Sequence, residues 1–480
     1  MSSFEEKIHA LCDRVVGNNT WRQGRSFNLI PSESTPSLIV KLCEISDPAG
    51  RYAEHRTMKG TEVYFYQGTD FIRDVEVECR QELGRFFGAP DVELRPVSGQ
   101  MANEVVFKGL VKYVNRGRPA GQASRRLRLV VNNDLIYGGH LSAQPMGALF
   151  NFVAEDPATG KEHVLNFPVR KDNPYKPDLD RLADLLAGHR PELVIFGKSM
   201  FLHREPVRFV ADIVRAWPEP PLLMFDMAHV LGLYGVFQEP LAEGADIVTG
   251  STHKTFFGPQ RGVIAGRFPA GSPRRDLWTD IRSRAFPGST SNHHLGTLLG
   301  LLLASYEMNE FKAPFQAAVR ENARAFAKSL LAHGIPVEGD PVDGYTETHQ
   351  VIIRVKDFGP GMEVARRLED NNILTNYQAL PGDPSFLESS GIRLGVQEMT
   401  RFGMAEKDFD VLAGFMADVI VRGRKAQDEV ARFRQNFLEM RYCLPLEKAM
   451  PLAARVMASV VPSPGFAARF AENLARLGAR

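Results

Sequence analysis

The chain has 480 residues, of which 44% are hydrophobic and 24% charged, a composition typical of a globular protein of two or three domains. Its formal net charge of +1 at pH 7 gives no reason to expect nucleic acid or an acidic membrane as a partner. Four scattered cysteines without a CxxC pair argue against a zinc site or a disulfide framework and fit a cytoplasmic location. The acidic start, Met1 to Glu6, lacks an apolar core, and no apolar run reaches about 18 residues, so we expect neither a signal peptide nor a membrane span.

Residues 1–50 are predicted to form an N-terminal arm with one helix. Apolar residues recur at helical spacing over residues 4–16 and predict an amphipathic helix there. Pro31 removes a backbone donor and ends regular structure, so residues 28–34 are expected to form a loop that offers polar side chains. Residues 52–68 are rich in tyrosine, glycine and charge and show no clear period. A stretch of this length without secondary structure is usually functional or disordered, and its aromatic residues argue against disorder.

Helices then alternate with short apolar runs. The predicted helices are residues 74–87, 101–114, 178–187 and 207–217, and the predicted strands are residues 127–132, 193–196, 222–225 and 247–249. This alternation implies a mostly parallel sheet covered on both faces, so residues 51–310 are expected to form a large α/β domain. Ligands bind such sheets at the carboxyl ends of the strands.

The remainder of the chain shows two further patterns. Residues 311–422 are expected to form a smaller α+β domain, with helices at 311–333, 362–370 and 409–421 and a strand at 350–355. Residues 423–480 are expected to form a helical C-terminal extension, with helices at 428–440, at 452–461 after Pro451, and at 466–477.

A lysine and a carboxylate stand at the ends of two predicted strands. Lys254 lies in Ser251-Thr252-His253-Lys254-Thr255, just past the strand at 247–249. Burial and neighbouring dipoles lower the pKa of such an amine and suit it to form an imine with an aldehyde cofactor; a solvated lysine is the alternative. Asp226 directly ends an apolar strand, where a carboxylate needs a positive partner. That partner is either a protonated pyridine nitrogen, which then becomes an electron sink, or a structural arginine.

Three further clusters complete this chemistry. Ser98-Gly99-Gln100 precedes a helix, where free N–H groups and the helix dipole favour a phosphate; a simple N-cap by Ser98 is the alternative. Gly138-Gly139 allows the backbone to bring His140 over the strand ends, where its ring stacks on a planar cofactor or serves only in a turn. His229 is either a neighbour of the cofactor or a core histidine. Together with the lysine and the aspartate, these groups describe a pyridoxal-phosphate site.

Eight motifs stand in a recognisable order over roughly residues 5–422. They are Asn28-Leu29-Ile30-Pro31-Ser32-Glu33, Arg51-Tyr52-Ala53-Glu54, Ser98-Gly99, Gly138-Gly139-His140-Leu141, Asp226-Met227-Ala228-His229, Thr252-His253-Lys254-Thr255, Phe286-Pro287-Gly288 and Ser390-Gly391-Ile392-Arg393-Leu394-Gly395. By these motifs the chain resembles the serine hydroxymethyltransferase family. The resemblance implies the aspartate-aminotransferase-like (type I) fold of pyridoxal-phosphate enzymes, with a mostly parallel sheet in the large domain.

The resemblance also implies roles for individual residues. It implies that pyridoxal 5'-phosphate, with Lys254 as its Schiff-base lysine, contacts Ser98, Gly99, Gln100, His140, Ser199, Asp226, His229, Thr252, His253, Lys254 and, from a partner subunit, Gly262. It implies that the substrate is bound by Ser32, Tyr66 and Arg393, and that Lys254, Glu54, His229, Tyr66 and Tyr52 are catalytic. In the family Tyr52 and Glu54 reach the active site across a dimer interface, which implies an obligate homodimer. No metal site is implied.

The implied reaction makes or breaks the Cα–Cβ bond of a β-hydroxy-α-amino acid through a glycine quinonoid, as in serine–glycine interconversion. Some residues depart from the family pattern: Gln378 replaces the asparagine that contacts folate, Phe257 replaces an arginine, and Val396-Gln397-Glu398 replaces Thr-Pro-Ala. Residues 253–260 and 393–401, and the helical tail after residue 424, look more like the threonine transaldolases, which transfer the glycyl unit of threonine to another aldehyde without folate. The acceptor is therefore either a one-carbon unit on tetrahydrofolate or a second aldehyde.

Two other classes of protein are alternatives. One is an enzyme of the same fold with a different reaction, such as transamination or decarboxylation, against which Glu54 and its Arg-Tyr-Ala-Glu context argue. The other is a non-catalytic paralogue, which the complete set of Lys254, Asp226, His140 and Arg393 disfavours.

Overall fold

The structure is a computed structural model that describes residues 3–119 and 121–478. Met1 and Ser2 of the predicted arm, and residues 479–480 of the predicted extension, lie outside the described residues. The α-helices of the described residues are α1 (Phe4–Gly24), α2 (Leu38–Glu44), α3 (Asp70–Phe87), α4 (Gly99–Val114), α5 (Leu179–Gly188), α6 (Val207–Val214), α7 (Pro240–Glu243), α8 (Arg275–Ala285), α9 (Leu295–Ala332), α10 (Gly361–Glu369), α11 (Gln397–Arg401), α12 (Glu406–Ile420), α13 (Gln427–Arg434), α14 (Leu446–Val460) and α15 (Phe466–Gly478). The β-strands are β1 (Phe27–Asn28), β2 (His55–Met58), β3 (Thr61–Tyr64), β4 (Asp91–Glu93), β5 (Val130–Asn132), β6 (Val164–Asn166), β7 (Leu193–Phe196), β8 (Leu222–Asp226), β9 (Ile247–Ser251), β10 (Gly262–Gly266), β11 (Gln350–Arg354), β12 (Ile373–Leu374), β13 (Asn376–Gln378) and β14 (Gly391–Gly395).

A seven-stranded sheet forms the centre of the molecule, in the order β4-β10-β9-β8-β7-β5-β6. Strands β9, β8, β7, β5 and β6 run parallel to one another, and β10 is antiparallel to both of its neighbours. The predicted mostly parallel sheet is therefore confirmed. Strands β4, β6 and β10 are additional to the four that the sequence predicts.

Side chains along the central strands alternate between two hydrophobic clusters. In β7, Val194 and Phe196 belong to one cluster, and Leu193 and Ile195 belong to the other. Every residue of β7 and β8 is buried, because a strand covered on both faces places its odd and even side chains in separate cores. The apolar sequence of β8 ends at Asp226, so this carboxylate lies at the carboxyl edge of the sheet.

A second, three-stranded antiparallel sheet has the order β11-β14-β13. The segment after α1 joins this part of the molecule, because β1 pairs with β12 in parallel and places Phe27 beside Ile373. The N–H of Gly395 then donates to the carbonyl of Leu29 at 2.7 Å. These bonds bring the polar loop that contains Ser32 against the strand that carries Arg393.

The predicted loop at residues 52–68 contains a β-hairpin, so the expectation of no secondary structure there was wrong. Strands β2 and β3 pair in antiparallel register around Lys59 and Gly60, whose φ angles of 49° and 83° lie in the left-handed region of a tight turn. Most of the hairpin's side chains are exposed or half-buried. A hairpin without a buried face has no apolar alternation, which is why its sequence pattern gave no strand signal.

Helix α9 begins earlier than predicted and is 38 residues long. It crosses the expected boundary between residues 310 and 311 without interruption, although Pro314 lies inside it. The division into four segments stays a prediction. None of the described helices, α9 included, is both long and apolar enough to cross a membrane.

The helices of the tail differ from prediction at two places. Helix α14 begins at Leu446 rather than at residue 452, because Pro445 occupies its N-cap and Pro451 lies within the helix. Helix α13 ends at Arg434, and a short 3₁₀ turn follows where the sequence predicts helix up to residue 440.

Candidate active site

A cavity of about 1210 Å³ opens where the carboxyl ends of the central strands meet the three-stranded sheet. The predicted site residues that line it are Ser32, His140, Ser199, His229, His253, Lys254 and Arg393. Within the described chain, the predicted residues outside this lining are Tyr52, Glu54, Tyr66, Ser98, Gly99, Gln100, Asp226, Thr252 and Gly262. The lining combines residues that are far apart in sequence, as the strand-end prediction requires.

The side chain of Lys254 is buried at this cavity. Its Nζ lies 3.2 Å from Nε2 of His229. Burial lowers the pKa of Lys254 to about 8; Asp226 opposes this shift and Arg393 adds to it. An amine with this pKa has a large neutral fraction near pH 8, so its protonation suits imine formation.

The loop of residues 252–261 holds Lys254 in place. The N–H of Thr252 donates to the carbonyl of Arg261 at 3.0 Å, and the Thr252 hydroxyl donates to the carbonyl of Pro259 at 2.6 Å. Phe257 is buried with a φ of 53°, and the guanidinium of Arg401 lies 3.8 Å from its ring centroid. These contacts fix the backbone on both sides of the lysine.

The carboxylate of Asp226 has polar partners on both of its oxygens. Its Oδ2 accepts from Asn103 Nδ2 at 2.7 Å and from Ser142 Oγ at 3.1 Å, and lies 2.5 Å from Nδ1 of His140. Its Oδ1 accepts from the N–H of Ala228 at 2.9 Å. Burial raises the pKa of Asp226, but His140 and the hydrogen bonds outweigh it and hold this pKa well below its usual range. Its partners in the described chain include no arginine, and a fixed anion here suits a protonated pyridine nitrogen.

Sequence reasoning missed Asn103, Ser142 and Thr249. The hydroxyl of Thr249 donates to Asn103 Oδ1 at 2.5 Å, so a chain of hydrogen bonds runs from Thr249 through Asn103 to Asp226. Asn103 lies four residues after Gly99 on α4, and residues at this spacing share a helix face. That spacing is the signal that would have found it.

The buried His229 and the half-buried His253 line the cavity, and a third histidine, the buried His349, is not part of its lining. Burial lowers the pKa of His229 well below its usual range, that of His253 to about 4 and that of His349 to about 3. In the described chain the Nδ1 atom of each of these rings is buried without a hydrogen-bond partner. The rings are therefore neutral near pH 7, and their orphaned nitrogens leave polar groups for a bound molecule to satisfy.

The start of α4 packs closely against the strands that lead to the lysine loop. Ser98 caps the helix with its hydroxyl oxygen, which confirms the N-cap interpretation. A Cβ on Gly99 would lie 2.1 Å from Ser251 Oγ, and a Cβ on Gly262 would lie 2.1 Å from the carbonyl oxygen of Ser98. The first N–H groups of a helix, here those of Gly99 and Gln100, have no partner within it and form an anion site.

Arg393 supplies a buried cation on the opposite side of the cavity. Its Nη1 donates to the carbonyl of Ser199 at 2.7 Å, and its Nε donates to Asn376 Oδ1 at 3.5 Å. Burial lowers its pKa to about 10. Within residues 3–119 and 121–478, no carboxylate pairs with this guanidinium, so its fork is available to a carboxylate from a ligand. Ser32 lines the same cavity.

Tyr52, Glu54 and Tyr66 lie at the base of the β2–β3 hairpin, outside the cavity of their own chain. The rings of Tyr52 and Tyr66 lie 5.4 Å apart, and these residues are 46% and 43% exposed. The backbone beside Glu54 is anchored by His55, whose Nδ1 lies 3.0 Å from the carbonyl of Ala53. One chain therefore does not bring these three residues into the cavity that contains Lys254.

The fold and the site define a type I pyridoxal-phosphate enzyme. The amine of Lys254, with its lowered pKa, matches the aldehyde of this cofactor. The ionised carboxylate of Asp226 matches the ring nitrogen, and the start of α4, where Gly99 has no room for a Cβ, matches the phosphate. The orphaned histidine nitrogens are further polar groups for a bound molecule.

Known proteins support this class over nearly the whole chain. A family model for serine hydroxymethyltransferase matches residues 6–416. The serine hydroxymethyltransferase of Pyrobaculum arsenaticum is 37% identical over 449 residues, which are 93% of this chain and 96% of that protein. That of Staphylothermus marinus is 36% identical over 444 residues, 91% of this chain and 93% of that protein. The crystal structure of L-threonine transaldolase from Pseudomonas fluorescens in the internal aldimine state superposes with a TM-score of 0.77 at 28% identity, over 93% of this chain and 97% of that one.

The chain belongs to the serine hydroxymethyltransferase family. The predicted fold, the pyridoxal-phosphate cofactor, the enzyme class and the serine hydroxymethyltransferase-like function are thereby confirmed. The roles predicted for individual residues stay predictions.

Proposed function

We propose that this enzyme makes and breaks the Cα–Cβ bond of a β-hydroxy-α-amino acid, with serine and glycine as the interconverted pair. The observation that carries this proposal is the buried guanidinium of Arg393, which faces the same cavity as Lys254 and pairs with no carboxylate of the described residues. An α-amino acid presents both a carboxylate and an amine, and this cavity offers a partner for each.

Lys254, Asp226 and the start of α4 would hold pyridoxal phosphate. When bound, this cofactor supplies the electron sink for the electron pair released at Cα. Asp226, ionised at physiological pH, would pair with the protonated ring nitrogen. His229 is neutral, and its Nε2 holds the amine of Lys254 by a hydrogen bond.

Arg393 and Ser32 would bind the amino-acid carboxylate. The carbonyl of Ser199 and the amide of Asn376 fix the plane of the guanidinium, and a fixed plane orients a carboxylate that binds in bidentate fashion. By holding the carboxylate, Arg393 would orient the bonds at Cα relative to the bound cofactor. The carboxylate contact therefore determines which bond reacts.

The proposed assembly is a homodimer in which Glu54, Tyr52 and Tyr66 of the partner subunit complete the cavity. Helix α1 supports this assembly, because none of its 21 residues is buried and its apolar residues, such as Phe4 at 81% and Val16 at 63%, are exposed. In the dimer, Glu54 of the partner subunit accepts the proton of the substrate's β-hydroxyl as the Cα–Cβ bond breaks.

A folate-independent transaldolase or aldolase reaction is the second candidate. The solved L-threonine transaldolase, which shares the fold over 93% of this chain, supports it. In this reaction threonine donates the glycyl unit and a second aldehyde accepts it. Tetrahydrofolate is needed only for the first candidate.

The two candidates are distinguished by incubating the holoenzyme with L-serine or L-threonine, with and without tetrahydrofolate, and with an added aldehyde. Glycine formed from serine only when folate is present supports hydroxymethyl transfer. A new β-hydroxy amino acid formed from threonine and the aldehyde without folate supports the transaldolase. If neither substrate reacts under any condition, while the Lys254→Ala variant behaves identically, both candidates are wrong.

We also propose that the enzyme works in a reducing compartment, the cytoplasm. All four cysteines are free, and Cys79 and Cys443 are buried, where burial raises the pKa of both thiols to about 12 and about 11. Free, protonated and buried thiols fit a reducing compartment. Mass spectrometry of the protein isolated under alkylating conditions, with four modifiable thiols expected after unfolding, tests this proposal.

A further inference from the structure

A second cluster of polar side chains lies behind the carboxylate-binding side of the active site. It joins His203, in the loop between β7 and α6, to Asp343 and Glu347, in the segment before β11. One ligand atom from each of the three side chains lies within 4.8 Å of the other two. The cluster borders a separate cavity of about 860 Å³, which gives it a route to solvent.

His203 has no hydrogen-bond partner in the described chain. The residue is 2% exposed, and both of its ring nitrogens are buried and unpaired. A buried polar group without a partner is destabilising and is rare in folded proteins. A buried imidazole without a hydrogen-bond partner is available to bind a ligand.

The distances around His203 are those between ligands of one ion. Its Nδ1 lies 3.5 Å from Asp343 Oδ2 and 3.9 Å from Glu347 Oε2, but it forms a hydrogen bond with neither. Two ligands of a tetrahedral ion with bonds of about 2.0–2.2 Å lie roughly 3.4 Å apart. A small inward movement of the two half-buried carboxylates would complete such a site.

We propose that His203, Asp343 and Glu347 bind a divalent transition-metal ion of the Zn²⁺ type, with water as the remaining ligand. One imidazole and two carboxylates form a ligand set that suits Zn²⁺ and its neighbours in the first transition row.

Two side-chain cations compete with the ion. Lys176 Nζ lies 2.6 Å from Oδ2 of Asp343 and 2.6 Å from Oδ2 of Asp340, and Arg204 Nε lies 3.3 Å from Oε1 of Glu347. A third cation, Lys198, also acts on His203, but it pairs with Glu205 and not with the carboxylates of the cluster. When an ion occupies the cluster, Lys176 retains Asp340 as its partner.

A bound ion would join two segments that also build the amino-acid site. The side chain of Gln350, three residues after Glu347, donates to the carbonyl of Ser199, four residues before His203, at 3.1 Å. The same carbonyl accepts from Arg393 at 2.7 Å. The ion would therefore hold together the two segments that position Arg393. This consequence rests on the proposed function, in which Arg393 binds the substrate carboxylate, whereas the metal site itself does not.

The test measures Zn²⁺ bound to the holoenzyme by equilibrium dialysis and elemental analysis, so it does not depend on activity. We expect the wild type to bind one more Zn²⁺ per chain than His203→Leu, Asp343→Asn or Glu347→Gln, with at least about tenfold weaker binding in each variant. Lys176→Met should bind Zn²⁺ more tightly than the wild type, because it removes the competing ammonium. His189→Asn, which changes an exposed histidine outside the cluster, should leave binding unchanged.

Absorbance of the bound cofactor reports whether each variant is folded, and Asp343→Asn and Glu347→Gln decide the question if His203→Leu does not fold. Equal Zn²⁺ binding by the wild type and by these two variants would overturn the proposal, as would weaker binding by Lys176→Met. Loss of hydroxymethyl transfer with intact Zn²⁺ binding would contradict the proposed function alone.

Discussion

The amine of Lys254 lies 3.2 Å from Nε2 of His229, and both side chains are buried. Burial, Lys254 and Arg393 each lower the pKa of His229, so this ring stays neutral and accepts a hydrogen bond from the lysine. A neutral acceptor orients the amine of Lys254 without forming an ion pair, which would raise the pKa of the lysine.

Replacement of the lysine is the most direct test of the site. The Lys254→Ala variant should show no turnover, and borohydride should no longer attach the cofactor covalently to the chain, because no other amine occupies this position. Mass spectrometry of the borohydride-treated protein provides the measurement. Lys161→Ala, a change at an exposed lysine, should behave as the wild type. Normal turnover by Lys254→Ala would show that the site is misplaced.

The lowered pKa of Lys254 predicts how reconstitution of the apoenzyme depends on pH. Only the neutral amine reacts with an aldehyde, so the rate of covalent cofactor attachment should rise through pH 8 and level off above it. Stopped-flow absorbance measures this rate. Arg393→Met should move the midpoint to higher pH, because Arg393 is one of the causes that lower this pKa. A rate that keeps rising towards pH 10.5, the ordinary value for lysine, would contradict the burial argument.

Asn103 connects Thr249 to Asp226, and its loss should destabilise the fold. In Asn103→Ala the buried hydroxyl and one carboxylate oxygen each lose a partner, so the free energy of unfolding should fall by about 1–3 kcal/mol. Urea unfolding provides the measurement. Asn473→Ala, which removes an exposed amide bonded to the carbonyl of Arg469, should change stability by less than about 0.5 kcal/mol. Equal effects of the two variants would remove the special role of Asn103.

Substrate affinity should depend on the guanidinium fork of Arg393. Arg393→Lys keeps the charge but loses the bidentate geometry, so the KM for the amino acid should rise by roughly 10- to 150-fold, equivalent to about 1.5–3 kcal/mol. Steady-state kinetics with L-serine or L-threonine measure it. Arg354→Lys is the matched control, since Arg354 lies in the same sheet but pairs with Glu338 outside the cavity. An unchanged KM in Arg393→Lys would place the carboxylate elsewhere.

Mixed dimers test whether Glu54 acts across the interface. Glu54→Gln and Lys254→Ala subunits are each expected to be inactive as homodimers, but a mixed dimer contains one site with both native residues. Co-expression of the two in equal amounts should therefore restore about a quarter of wild-type activity, since half of the dimers are mixed and each has one intact site. Co-expression of either variant with the double variant Glu54→Gln/Lys254→Ala should restore none. Failure of the first mixture to recover activity would show that Glu54 acts within its own chain, or not at all.

The sequence predicted those site residues whose function is indicated by their immediate neighbours in the chain. Asp226 ends an apolar strand and Lys254 follows one, so the sheet edge was recognisable from the change in polarity alone. His203 gave no such signal, because its neighbours in the structure, Asp343 and Glu347, lie about 140 residues further along the chain. The expectation of no metal site rested on the scattered cysteines and on the family resemblance, neither of which bears on these three residues.

The missed strands have a similar explanation. Strand β4 is only three residues long and contains Glu93, a buried carboxylate that Arg95 pairs with through its side chain. Pattern analysis treats such charges as solvent-exposed, whereas the structure neutralises them by contacts formed only after folding. Helix α9 begins at Leu295 rather than at the predicted residue 311, because its leucine-rich first part continues through the polar residues Glu307, Asn309 and Glu310 without a break.

Helix α9 has a mechanical consequence. Its 38 residues span about 57 Å, from His293, which contacts Glu76 beneath the β2–β3 hairpin, to the segment that leads into the three-stranded sheet. The helix is continuous over this length, although Pro314 near its middle leaves one backbone carbonyl without its usual helical donor. The regular helix is bounded by His294 and Gly334, whose φ angles of 56° and 85° lie in the left-handed region. One continuous element therefore connects the support of the β2–β3 hairpin to the segment before the three-stranded sheet.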